Sequence, residues 1–141
     1  MNETDVDHRN TKLAKQVLLL ADSPNKENQR TFFQELQNGR VGIKIPQELG
    51  AVPSGDYVTM PSSDLRIPIA TLPSGEAMLL VLANVAWLSS VEPDSVFVEL
   101  KGREVLQIAK NEAMGIIVQV LGPERQGWSG VSATDVAKIL G

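Results

Sequence analysis

Apolar positions recur along this chain with two different periods, and each change of period marks an element. In NTKLAKQVLLLADSP (residues 10–24), Leu13, Val17, Leu20 and Ala21 recur at helical spacing. The spacing predicts a helix over 11–22, opened by Asn10 or Thr11 and stopped by Pro24. NKENQRTFFQELQNG (25–39) predicts a second helix that buries Phe32, Phe33 and Leu36 and stops at Gly39. Two such helices, closely spaced, suit an antiparallel pair. In RVGIKIP (40–46) the period drops to two, with Val41, Ile43 and Ile45 alternating against Arg40, Gly42 and Lys44. That is a strand with one wet face. Residues 46–64 are broken by Pro46, Gly50, Pro53, Gly55 and Pro61, which predicts a long surface excursion. Within it, DYVTM (56–60) offers only weak pairing.

LRIPIATLPSGEAMLLVLA (65–83) predicts a β-hairpin turning at PSGE, where Pro73 presets φ and Gly75 completes the turn. Pro68 has no N–H to donate, which pushes the first arm toward a sheet edge. The second arm is apolar on both faces: Met78, Leu80 and Leu82 on one, Leu79, Val81 and Ala83 on the other. A strand of that kind needs a layer on each side. Asn84 then caps a short helix carrying Val85, Trp87 and Leu88, with Trp87 expected in the core. SVFVEL (95–100) predicts a strand, GREVLQIAKN (102–111) a helix, and MGIIVQVLG (114–122) a second near-continuous apolar strand. PERQGWSGV (123–131) reads as a loop, and SATDVAKIL (132–140) as a closing helix capped by Ser132. The expected fold is a single compact α/β domain, a mixed sheet of about five strands with helices on both faces. Residues 1–9 are expected to be a flexible tail, with the domain over 10–141.

The longest apolar run, AMLLVLANVAWL (77–88), raises the question of a membrane span. It is too short: a spanning helix needs about 20 apolar residues. No membrane contact is expected. The N-terminus, MNETDVDHRN, is polar and largely acidic and lacks the basic start of a secretory signal.

Composition then narrows the chemistry. Of 141 residues, 43% are hydrophobic and 21% charged, ordinary for a globular domain, and the net charge is −4. Residues 1–44 hold seven Lys/Arg against six Asp/Glu, while 45–141 hold six against eleven, so the acidity sits in the body. No cluster of cations suits a phosphate backbone, and nucleic-acid binding is not expected. The absence of cysteine removes disulfides, zinc–thiolate sites and thiol nucleophiles, and fits a reducing compartment.

The order of elements and their local wording resemble the N-terminal domain of the SseB family, named for an enhanced-serine-sensitivity phenotype. The resemblance is carried by RTFFQELQNGRVGIKI, by LPSGEAMLLVLANVAWL with Trp87, and by SVFVEL, GREVLQIAKN, GIIVQVL and SATDVAKIL, over residues 10–140. It implies this fold and a bacterial, cytoplasmic setting, and it implies no particular reaction. Fuller members of the family carry a second, C-terminal domain, so only the N-terminal one is expected here.

Candidate chemistry is sparse. Proton transfer most often uses His, and the only histidine, His8, stands in the leading polar segment. Asp5, Asp7 and His8 could chelate a metal only loosely, and a solvated tail is the simpler reading. Glu92 and Asp94 flank Pro93 in what reads as a turn, and Glu99, Glu104, Glu112 and Glu124 are scattered in polar surroundings. No phosphate loop or dinucleotide fingerprint is present, and no cofactor or metal is expected. The stretch that stands out is LGPERQGWSGVS (121–132). Arg125 offers a fork for a carboxylate or phosphate, and Trp128 is a large apolar residue in polar company. Trp and Arg are enriched at partner sites, so these two define a candidate contact loop; the bland alternative is that Trp128 turns inward and plugs the sheet. The leading expectation is a non-catalytic cytoplasmic accessory module that contacts another protein or a second copy of itself. The second is a small-ligand or anion sensor, or a carboxylate-based enzyme, working through the 122–132 loop.

Overall fold

The structure is a computed structural model, and it describes residues 3–45, 56–59, 66–91, 93–94, 96–120 and 127–140. Two helices come first, α1 (Glu3–Asp22) and α2 (Lys26–Asn38). α1 starts well before Asn10, so residues 3–9 continue the helix that was expected to begin after them. The segment contains no Gly or Pro to stop a helix, and its acidic residues suit a helix N-terminus. The turn between the helices is held by three amides. Asn25 caps α2, its side chain accepting from the Asn28 N–H at 2.8 Å. The Asn28 side chain donates to the Ser23 carbonyl (2.8 Å), and Gln16 reaches across to the Asn28 carbonyl (3.1 Å).

The strands are β1 (Arg40–Ile45), β2 (Asp56–Thr59), β3 (Arg66–Thr71), β4 (Ala77–Leu82), β5 (Val96–Lys101), β6 (Gly115–Val120) and β7 (Gly127–Val131). The remaining helices are α3 (Val85–Val91), α4 (Gly102–Asn111) and α5 (Ala133–Leu140). The sheet has seven strands and is mixed, where about five were expected. The two additions are β2, from the stretch expected to pair only weakly, and β7, from the stretch expected to be a loop.

β4 is the middle of the sheet. β6 runs parallel along one side of it, from Met78↔Gly115 to Leu82↔Gln119. Its other side is divided. β3 takes the first half antiparallel, and β1 meets the far end at Gly42↔Leu82. β2 then extends β3, β5 extends β1, and β7 extends β6. The β3–β4 hairpin turns as the sequence predicts: Gly75 sits at φ 92°, and the Leu72 N–H donates to the Glu76 carbonyl at 2.9 Å. The expectation that Pro68 places its strand at an edge is wrong. β3 lies between β2 and β4, with Pro68 opposite Tyr57, and the four-residue β2 becomes the edge instead. The loss of one donor is tolerated beside so short a partner.

Alternation sorts the side chains onto two faces. On one face, Leu79 and Val81 of β4 and Ile116 and Val118 of β6 form the main core. Against them pack Leu13 and Val17 of α1, Phe32 and Leu36 of α2, Val105 and Leu106 of α4, and Val136 of α5. The other face carries a smaller cluster, Ala70, Met78 and Ile117, with Leu72 and Leu80 packed on it. There Val85 of α3 lies over Gly42, where a Cβ would collide with it, so helices touch both faces. Asn84 stands at the cap of α3, its carbonyl accepting from Leu88 at 3.0 Å. The side chain of Trp87, expected in the core, lies outside the described residues. α5 is capped by Ser132, which accepts from the Asp135 N–H at 3.1 Å.

Candidate functional site

β7 turns an expected loop into an edge strand. It pairs antiparallel with β6 from Ile116↔Val131 to Val120↔Gly127, and with no other described strand. The polarity along it is inverted relative to an ordinary half-buried strand. Ser129 and Val131 point to the main core, and Trp128 points away. Ser129 is 5% exposed, and its hydroxyl donates to the Val17 carbonyl of α1 at 2.7 Å. That bond satisfies the one buried polar side chain found among the described residues. Gly127 lets α1 come close, since a Cβ there would meet Leu18 at 3.2 Å.

Trp128 is 50% exposed, the bulkiest of the large apolar side chains exposed among the described residues. Its ring leans over Gly130: a Cβ at Gly130 would lie 3.4 Å from the ring and 3.7 Å from the Met78 methyl. One side of the indole therefore rests on the sheet and the other meets solvent. The inward-plug reading does not describe this geometry. Neighbouring positions on the same face are Gln119, directly opposite Trp128, then Leu80 and Ile117. Arg125 and Glu124, the other members of the expected contact loop, lie outside the described residues.

The other candidates are dispersed. His8, Asp5 and Asp7 fall on α1, with side chains outside the described residues, as is Glu92. Glu99 pairs with Arg40 at 3.6 Å on the surface, and Glu104 turns back to accept from the Lys101 N–H at 3.3 Å. Asp94 and Glu112 are exposed. Among the described residues no group of His, Asp and Glu is arranged to hold a metal, and no helix is long and apolar enough to cross a membrane.

The sequence reading missed one concave feature. Gln37, Asn38, Gly39, Arg40, Lys101 and Arg103 line a cleft of 440 Å³ where α2 ends and α4 begins. Its members come from two segments far apart in sequence, united by the β1–β5 register and by the Gly102 N–H bond to the Gly39 carbonyl.

The order α1, α2, β1, the β3–β4 hairpin, α3, β5, α4, β6 is matched by the family model described as SseB protein N-terminal domain, over residues 13–125. The chain belongs to the SseB family. No curated protein and no solved structure matches it. The SseB match runs from within α1 past the end of β6, so the central β4–β6 pair and the basic cleft belong to the family domain. β7, with Trp128, and α5 lie beyond the matched residues and complete the sheet and its helical layer in this SseB chain.

Proposed function

We propose that this SseB domain is a non-catalytic accessory module of the cytoplasm that works by protein–protein contact, with Trp128 at the centre of the contact. The observation that carries the reading is the half-exposed indole of Trp128 on an edge strand. A large aromatic that leans on its own sheet and stays half-exposed offers apolar area at little entropic cost, the property of interface anchors. On its outer side β7 pairs with no described strand, which leaves a sheet edge beside the indole, and Leu80 supplies a half-buried apolar neighbour on the same face. The partner is another protein or a second copy of this chain.

The test uses the whole chain and its Trp128→Ala variant. Sedimentation over a hundredfold concentration range reads self-association, and capture from native lysate followed by identification reads a partner. The variant should lose whichever association the wild type shows, while its urea midpoint stays close to that of the wild type. Association that is undiminished in the variant would sink the reading. Cell fractionation tests the compartment, and recovery outside the cytoplasm would overturn that part.

A further inference from the structure

At the flank of the sheet opposite β7, the β1–β5 pair places two cations directly against each other. Arg40 is the register partner of Lys101, and Arg103 follows two residues later at the start of α4. Like charges directly opposite on paired strands are destabilising. In a chain of net charge −4, with acids in excess, nothing in the composition forces such a juxtaposition.

Among the described residues, the nearby acids answer Arg40 rather than Lys101 or Arg103. Glu99, diagonal to Arg40, pairs with it at 3.6 Å, and the Glu104 carboxylate is turned back onto the Lys101 backbone. Lys101 and Arg103 make no ion pair with any described residue, and both are exposed. The cations also face a built concavity rather than a convex surface. The Gly102 N–H donates to the Gly39 carbonyl at 3.0 Å, and Gly102 lies so close to the Leu36 carbonyl that no side chain fits there. This contact draws the end of α2 against the start of α4, so that Gln37 joins the cations in one cleft of 440 Å³. That volume is within the range of about 300–1,000 Å³ typical of small-molecule sites, and far larger than a single water or halide needs. The Gly102 N–H is already taken by Gly39, so recognition falls to the side chains. A cleft lined by one sign of charge concentrates the opposite ion, and two guanidinium forks with an ammonium suit oxygens borne on adjacent tetrahedral or planar groups.

We propose that the cleft between the end of α2 and the start of α4 binds a small, multiply charged anion bearing phosphate or carboxylate groups, gripped by Arg40, Lys101 and Arg103. Binding relieves the Arg40–Lys101 repulsion, so the local cost in the free protein is offset when the anion is present.

The experiment is a ¹H–¹⁵N titration of the full chain with pyrophosphate and, separately, citrate, at constant ionic strength. Saturable shifts confined to the amides of 37–40 and 101–103 are expected with at least one of them, and the one that binds separates phosphate from carboxylate chemistry. Lys101→Gln combined with Arg103→Gln should weaken that binding about tenfold or more, the scale of lost charge-assisted hydrogen bonds. Lys101→Glu should abolish it while raising the melting temperature in chloride, because the repulsive pair becomes attractive. All three substitutions are at exposed positions and should leave the remaining spectrum in place. Absence of saturable shifts at the cleft with both anions overturns the proposal, as does an unchanged affinity in the double variant.

Discussion

Single residues carry most of the local logic, and three of them support measurable expectations. Ala113 follows α4 at φ 56°, a left-handed position where a Cβ is strained. The backbone is held there because the Met114 N–H closes onto the Ala109 carbonyl at 2.9 Å, a helix ending that usually employs glycine. Ala113→Gly should therefore stabilise the fold by about 0.5–1 kcal/mol in urea unfolding, the relief of strain outweighing glycine's extra freedom when unfolded. Ser129→Ala should cost about 0.5–1.5 kcal/mol, since it deletes the buried bond that ties β7 to α1. Trp128→Ala should cost less than about 1 kcal/mol, because half of the indole is already in water. If Trp128→Ala proves the most destabilising of the three, the indole is chiefly a structural side chain. Trp128 stood out in the sequence as a large apolar residue among polar ones. Its setting did not, because GWSGV places a serine inward and a tryptophan outward, the reverse of the alternation by which strands are read.

Among the elements, helix ends and strand neighbours decide stability unevenly. Asn25→Ala should lower stability by about 1 kcal/mol, because α2 loses the acceptor for its Asn28 N–H. β4 is paired on both sides, buried on one face and half-buried on the other, whereas β2 is a four-residue edge strand among the described residues. Amide exchange should accordingly be slowest in β4 and β6 and fast in β2, since internal strands open only near global unfolding. Exchange as fast in β4 as in β2 would contradict the sheet order. β4, β5, β6 and the helices α2 and α4 were legible in the chain because burial on one or two faces imposes a period. β2 was only half legible: DYVT has no apolar run of its own and is ordered by β3. The early start of α1 was hidden because ETDVDHRN is polar except for Val6, and a helix without an apolar stripe leaves no period to read.

For the whole molecule, β4 joins two ladders to one parallel partner, and α1 crosses β7, β6 and β1 in turn. Both features couple distant parts of the chain, so unfolding should be one cooperative transition. Tryptophan fluorescence and far-UV circular dichroism should give superimposable urea curves. Two separated transitions would instead divide the chain into independent units. The acidic balance of the body and the basic cleft coexist because net charge is a sum, while binding depends on local placement.

By itself the sequence determined the α/β class, the identities of the two central strands, the hairpin at PSGE and the family, all of which rest on local periodicity and turn chemistry. Only the tertiary structure decided that β3 is internal, that GWSGV is a strand, and that Arg40 faces Lys101. Each of these depends on which segment lies alongside which. A proline signals its missing donor but not whether a neighbour arrives, and a lysine does not carry the register that sets it opposite an arginine. Pairing between distant segments is settled by burial of the shared core, Leu79 and Val81 against Ile116 and Val118, and no window along the chain contains it.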